Sequence, residues 1–139
     1  MNSTQRLGPR TAAEANPVNR AMLYIEDHAG TRRLVERMLL KLRPQIELHV
    51  ATNARDGIKA AIDEQPALIL LDNRLPDATG GEVLRQLASS GATAGIPVVV
   101  ISGDSARTGD ELLAIGASEF LPKPFDIDHL VTMIDRYIH

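Results

Sequence analysis

Residues 68–87 read LILLDNRLPDATGGEVLRQL: an unbroken apolar run, an acid, a turn carrying Pro76, and the entry into a helical pattern. A short apolar run without polar alternation suits a strand buried on both faces, as in a parallel sheet covered by helices. Working outward, comparable runs occur at Ala21–Ile25, Ile46–Val50, Ile96–Ile101 and Ser118–Leu121, which makes five strands with Leu68–Leu71. Between them lie segments with apolar residues three and four apart, such as Leu34, Val35, Met38, Leu39 and Leu42 in the first and Ile127, Leu130, Val131, Ile134 and Ile138 in the last. These predict one-sided helices. Pro44 stops the first, and Gly91 and Gly116 stand where left-handed C-caps are expected after the third and fourth. Five βα units with right-handed crossovers place helices on both sheet faces. The compact solution is an α/β three-layer sandwich, flavodoxin-like, with a parallel sheet of order 2-1-3-4-5.

The chain has 139 residues, enough for one hydrophobic core and too few for two. Residues 1–20, with Gly8, Pro9 and Pro17 and little apolar periodicity, read as a flexible tail, leaving 21–139 as the domain. Aromatics are 3% of the chain, so a sheet that stacks nucleobases is disfavoured. Fifteen basic against 18 acidic residues give a net charge of -3, the wrong sign for a domain whose main partner is nucleic acid. The absence of cysteine excludes a disulfide scaffold, a thiolate metal site and a Cys nucleophile. No apolar run approaches the roughly 20 residues that span a bilayer, and no signal-peptide core opens the chain. The expectation is a cytoplasmic protein with no membrane segment and no direct contact with nucleic acid.

Ligands of such sheets bind beyond the carboxyl ends of the strands. There the first strand leads into Glu26 and Asp27, the third into Asp72, the fourth into Ser102 and Gly103, and the fifth, through Pro122, into Lys123 and Pro124. Each has an ordinary reading: the acidic pair as a helix cap, Asp72 as a turn opener, Ser102 as an N-cap, Lys123 as a surface charge. Independent caps need not fall at four strand ends on one sheet edge with complementary chemistry. Three carboxylates brought within several Å raise at least one pKa unless a cation intervenes. With one lysine they sum to -2, which a divalent ion balances. An oxygen-only donor set favours Mg²⁺ over zinc, and His28, His49, His129 and His139 show no chelating spacing.

The stretches LYIEDH, LILLDNRLPDATGGEVLRQL, VVVISGDS and GASEFLPKPF, in that order and spacing, resemble the receiver domains of two-component response regulators from about Ala21 to Ile138. Their flavour is similar to receivers associated with hybrid histidine kinases. The resemblance implies that Asp72 is a phosphoacceptor, with Lys123 and Ser102 engaging the phosphoryl oxygens. It implies Mg²⁺ held by Asp27, Glu26 through water, Asp72 and the backbone carbonyl of Arg74, and a cis bond before Pro124. It further implies a switch in which Ser102 moves toward the phosphoryl group and Phe120 turns inward. Many receivers carry Tyr at that position, so here burial alone must drive the inward state. Arg74 and Asp104 flank the entrance, where an ion pair would restrict attacking water.

The partners this implies are a histidine kinase or phosphotransfer protein upstream and a downstream protein, or a second copy in a homodimer, on the surface from about Ser105 to Ile138. Because the chain ends at His139 after the last helical pattern, the reading is a single-domain regulator that signals by contact. Asp126, Asp128, Asp135 and Arg136 do not make the dense charge ladder of DNA-binding relatives. A phosphorylation-independent module would lack the phosphoacceptor, acidic pair or lysine, and none is lacking. A phosphatase with an Asp nucleophile generally has a second acid two residues on, where this chain has Arg74. The loop from Asp27 to Arg32 is not the hydroxyl- and glycine-rich loop that a flavin requires.

Overall fold

The computed structural model describes residues 18–139. Its order is β1 (Ala21–Ile25), α1 (Ala29–Leu42), β2 (Glu47–Ala51), α2 (Ala54–Glu64), β3 (Leu68–Asp72), α3 (Gly80–Ser89), β4 (Val98–Ser102), α4 (Ala106–Ile115), β5 (Glu119–Pro122) and α5 (Ile127–Asp135). The sheet is parallel with order β2-β1-β3-β4-β5, the expected one. The expected tail lies outside the described residues up to position 17. At its edge, the Asn19 side chain donates to the Gln65 carbonyl (2.9 Å) and the Arg20 side chain to the His139 carbonyl (3.1 Å).

Strand periodicity divides the core in two. Leu23, Ile25, Ile69, Leu71, Val98 and Val100 point to the face covered by α2, α3 and α4. Met22, Tyr24, Leu68, Leu70, Val99 and Ile101 point to the face covered by α1 and α5. β3 and β4 are buried at every position, which is why their sequences show no alternation. β4 begins two residues later than the apolar run: Pro97 has no N–H for the ladder, and its carbonyl takes the Ile69 N–H at 3.0 Å.

Side chains fix most helix starts. The His28 imidazole accepts from Thr31 N at α1 (3.1 Å), and Thr79 and Glu82 form a reciprocal capping box at α3. At α2 the Asp77 carboxylate arrives from another loop and accepts from Ala54 N and Arg55 N at 2.7 and 3.0 Å. Those two bonds hold Asp77 below the usual carboxylate range and tie the loop after β3 to α2.

Two helix ends depart from expectation. Gly91 is not a left-handed cap. α3 closes through an extended Ser90, and the Thr93 hydroxyl satisfies the Leu87 carbonyl at 2.7 Å, so no positive φ is needed. The left-handed cap without a glycine is Gln65 (φ 49), whose side-chain amide donates to the carbonyls of Ala61, Ile62 and Ala92 and offsets the strain. Gly116 does take a positive φ of 136, as expected.

Gly57 of α2 lies against Ile25, whose backbone leads directly into Glu26. A Cβ there would lie 2.5–3.0 Å from three Ile25 side-chain carbons. Ile25 is fully buried and β-branched, so it has little freedom to yield. Gly57→Ala should therefore destabilise the fold by about 1–2 kcal/mol in urea unfolding, overpacking outweighing the helix-propensity gain of about 1 kcal/mol.

Candidate functional site

The register of the sheet assembles the site. Ile25 pairs with Leu71, Asp72 with Ile101, and Ser102 with Pro122. Asp72 and Ser102, the last residues of β3 and β4, and Glu26 and Lys123, one step past β1 and β5, therefore line one edge. Glu26, Asp72 and Ser102 are 1%, 6% and 2% exposed, while Asp27 faces solvent. Carboxylate oxygens of Glu26, Asp27 and Asp72 lie within 4.8 Å of one another. Nζ of Lys123 stands 3.6 Å from Asp72 Oδ1 and 3.9 Å from Glu26 Oε1.

The electrostatics of this group are those of a cation-deficient pocket. Burial, reinforced by hydrogen bonding to and repulsion from Asp72, pushes Glu26 up to about 7 against the opposing pull of Lys123. Tyr24, two residues earlier on the same strand face, donates its hydroxyl to Glu26 Oε1 at 3.3 Å, and its phenol is pushed upward by burial and by the Glu26 charge. His28 N donates to Glu26 Oε2 at 3.3 Å. The Arg32 guanidinium donates to the backbone carbonyls of Glu26 (3.0 Å) and Asp27 (2.8 Å), which fixes the turn that presents the acidic pair. One ammonium faces three carboxylates, all donors are oxygen, and one site face is open to solvent; this fits Mg²⁺. The acidic pair is thus not a simple helix cap: His28 holds that position.

A second network adjoins the first. The Ser102 hydroxyl donates to Asp104 Oδ2 at 2.9 Å, and Asp104 N donates back to Ser102 Oγ at 3.0 Å. Asn73 Nδ2 donates to the same Asp104 oxygen at 3.0 Å, and Arg74 donates to Asp104 Oδ1 at 2.7 Å. These bonds, Arg74's first, hold Asp104 down at about 2. Arg74 and Asp104 therefore meet, as anticipated. Arg74 N is spent on Asp72 Oδ1 (3.3 Å), and a bridge between Arg74 and Thr79 closes the loop. The Lys123–Pro124 bond is cis. Phe120 is half-buried and lies against Gly109 of α4, where a Cβ would come within 2.6 Å of the ring.

Sequence reasoning did not single out Tyr24, Arg32 or Asn73. Tyr24 was signalled by its two-residue spacing from Glu26, and Asn73 by adjacency to Asp72. Arg32 acts on main-chain carbonyls, which leave no trace in side-chain pattern.

The family described as the response regulator receiver domain matches residues 22–135. Hybrid signal transduction histidine kinase G of Dictyostelium discoideum is 32% identical over 121 residues, covering 84% of this chain and 3% of that protein. The transcriptional regulatory protein PcoR of Escherichia coli is 34% identical over 114 residues, 81% of this chain and 49% of that one. The chain thus spans less than half the length of either relative. The crystal structure of the receiver domain of sensor histidine kinase PA1611 from Pseudomonas aeruginosa, with magnesium coordinated in its active site cleft, superposes with a TM-score of 0.76 at 22% identity. That match covers 86% of this chain and 97% of that one.

Because the folded chain takes up a proton on Glu26 that the unfolded chain has already lost, metal-free stability should fall as pH rises from about 4.5 to about 7. Glu26→Gln is expected to raise the thermal midpoint of the chelator-treated protein at pH 8 and leave it nearly unchanged at pH 4.5. Differential scanning calorimetry at the two pH values checks this.

Proposed function

The chain belongs to the family of response regulator receiver domains, and on that premise we propose that Asp72 is its phosphoacceptor in a two-component phosphorelay. Receivers are signalling domains that switch on phosphorylation and interact with histidine kinases or phosphotransfer proteins. The observation that carries the assignment is the placing of Asp72 between the acidic pair and Lys123 Nζ, 3.6 Å away, at the carboxyl edge of the sheet.

A carboxylate oxygen of Asp72 attacks the phosphorus of a phosphohistidine or small phosphodonor. The new O–P bond forms as the P–N or P–O bond of the donor breaks, and the leaving group departs with the bonding pair. Lys123 pairs with one phosphoryl oxygen. Ser102 exchanges its bond to Asp104 for a bond to another. Glu26, Asp27, Asp72 and the Arg74 carbonyl would hold Mg²⁺, which when bound offsets charge on the phosphoryl oxygens. Gly103 beside Ser102 is exposed and leaves room for the donor.

Release of Asp104 by Ser102 links the site to α4, and Phe120 turns inward behind Ser102. The ring separates two open hollows: one of about 490 Å³, lined in part by Gly109 and Leu113, and one of about 260 Å³, lined in part by Phe125 and Met133. Movement of Phe120 would remodel both, which supports α4, β5 and α5 as the contact surface for a downstream protein or a second copy. Among the described residues no helix is long and apolar enough to cross a membrane.

Incubation with acetyl phosphate and Mg²⁺ should add one phosphoryl group by intact mass, with no adduct in Asp72→Asn or after chelation; an adduct that persists in Asp72→Asn would overturn the assignment. Arg74→Ala, which removes the ion pair over the entrance, should speed dephosphorylation by roughly two- to fivefold, the scale of an exposed pair. An unchanged decay rate would show that the pair does not gate water.

A further inference from the structure

Away from the phosphoacceptor pocket, three side chains converge on one point beside the outer edge of the sheet. Glu47 and His49 stand two residues apart on β2 and so share a face. Glu64 is the last residue of α2. Oε2 of Glu47 lies 2.8 Å, and Oε1 of Glu64 3.6 Å, from the same atom, Nε2 of His49. A ligand atom of each residue lies within 4.8 Å of the other two. Spacing among the histidines alone does not show this group, because its third member comes from the far end of a helix.

The arrangement is short of a cation. One imidazole nitrogen carries at most one proton and can donate to one of these carboxylates, not both. Glu64 also ends α2 where the helix dipole disfavours an acid, and the last turn of α2 has no basic residue. A metal ion shared by all three would answer both deficits.

The donor set decides which ion. One imidazole nitrogen and two carboxylate oxygens suit zinc and its neighbours, whereas Mg²⁺ takes oxygen. In a tetrahedral site with bonds near 2.0–2.1 Å, adjacent ligand atoms are about 3.3 Å apart. The observed 2.8 and 3.6 Å bracket two of the three edges and the third, between the two carboxylates, is within 4.8 Å, so side-chain shifts of no more than about 1.5 Å complete the geometry. The side chains of His49, Glu47 and Glu64 are 27%, 70% and 44% exposed, which leaves an approach from solvent and a fourth position for water.

We propose that Glu47, His49 and Glu64 form a three-ligand site for a divalent transition metal of the zinc class, separate from the pocket around Asp72. The ion ties edge strand β2 to the end of α2. It does not depend on the phosphoacceptor assignment.

The test is calorimetric titration of Zn²⁺ into the full chain under saturating Mg²⁺, which occupies the oxygen-only pocket, followed by Co²⁺ substitution. One zinc per chain and the visible absorption of tetrahedral Co²⁺ are expected, with the chain remaining monomeric or dimeric as it was without zinc. His49→Gln and Glu64→Gln should each weaken Zn²⁺ by tenfold or more and lose the cobalt band, with circular dichroism confirming the fold, while Asp27→Asn binds zinc as the parent does. Parental affinity in both His49→Gln and Glu64→Gln, absence of zinc binding, or zinc held only by bridging two chains would overturn the proposal.

Discussion

The concentration of carboxylates at one edge of the sheet is the constraint around which this molecule is arranged. Glu26 and Asp72 are nearly inaccessible to water and adjacent in the sheet, a placement that repulsion and desolvation both oppose. The opposition is visible in Glu26, pushed up to about 7. Lys123 supplies one charge of compensation, and Tyr24, His28 N and Arg74 N supply hydrogen bonds. None of these could be in reach unless β1, β3 and β5 ended at matching heights. The fully buried strands set those heights, so packing energy gathered along the apolar runs sustains an unfavourable group of charges at their ends.

The same constraint accounts for how the site is joined to its surroundings. Asp72 and Ser102 are fixed by adjacent strands, but Ser102 does not reach toward Asp72: its hydroxyl is engaged by Asp104. Asp104 also receives Asn73 and Arg74, the two residues that follow Asp72. The loop after β3 and the loop after β4 are therefore one network, with Asp104 as its shared acceptor. The loop after β3 is in turn anchored to α2 by Asp77. A change in what Ser102 donates to is felt in both loops, without any long chain of contacts between them.

The fold was legible because buried parallel strands have a distinctive composition and the turns between them are punctuated by Pro and Gly. The strand ends could be read because a parallel sheet puts all carboxyl ends on one edge, so four separate motifs had to meet. What was not legible depended on the third dimension. Gly91 looked like a cap, yet Ser90 and Thr93 close α3 without a left-handed residue. Gln65 takes the left-handed conformation because three carbonyls happen to surround its amide, and only the packed structure supplies the one from Ala92. Tyr24 reads as core in the sequence and is core, but its hydroxyl reaches Glu26 because the strand ends there.

Phe120 shows how far a small chemical difference carries. A phenol at this place could anchor an inward or outward ring by a hydrogen bond, whereas Phe has only apolar burial to distinguish them. Full burial of such a side chain is worth about 1.5–3 kcal/mol relative to exposure. Phe120 is already half-buried against Gly109, where any larger residue would displace the ring. The remaining gain on turning inward is then on the order of 1 kcal/mol, which would leave the less favoured position at roughly 15%. A gap that small cannot hold the ring in one state, whereas one charge-assisted hydrogen bond of about 1.5–3 kcal/mol that draws Ser102 away from the space the ring would fill adds to it in the same direction. On the proposed reading, the unadorned ring would bias the switch only weakly, and the phosphoryl group, rather than the aromatic residue, would set its direction.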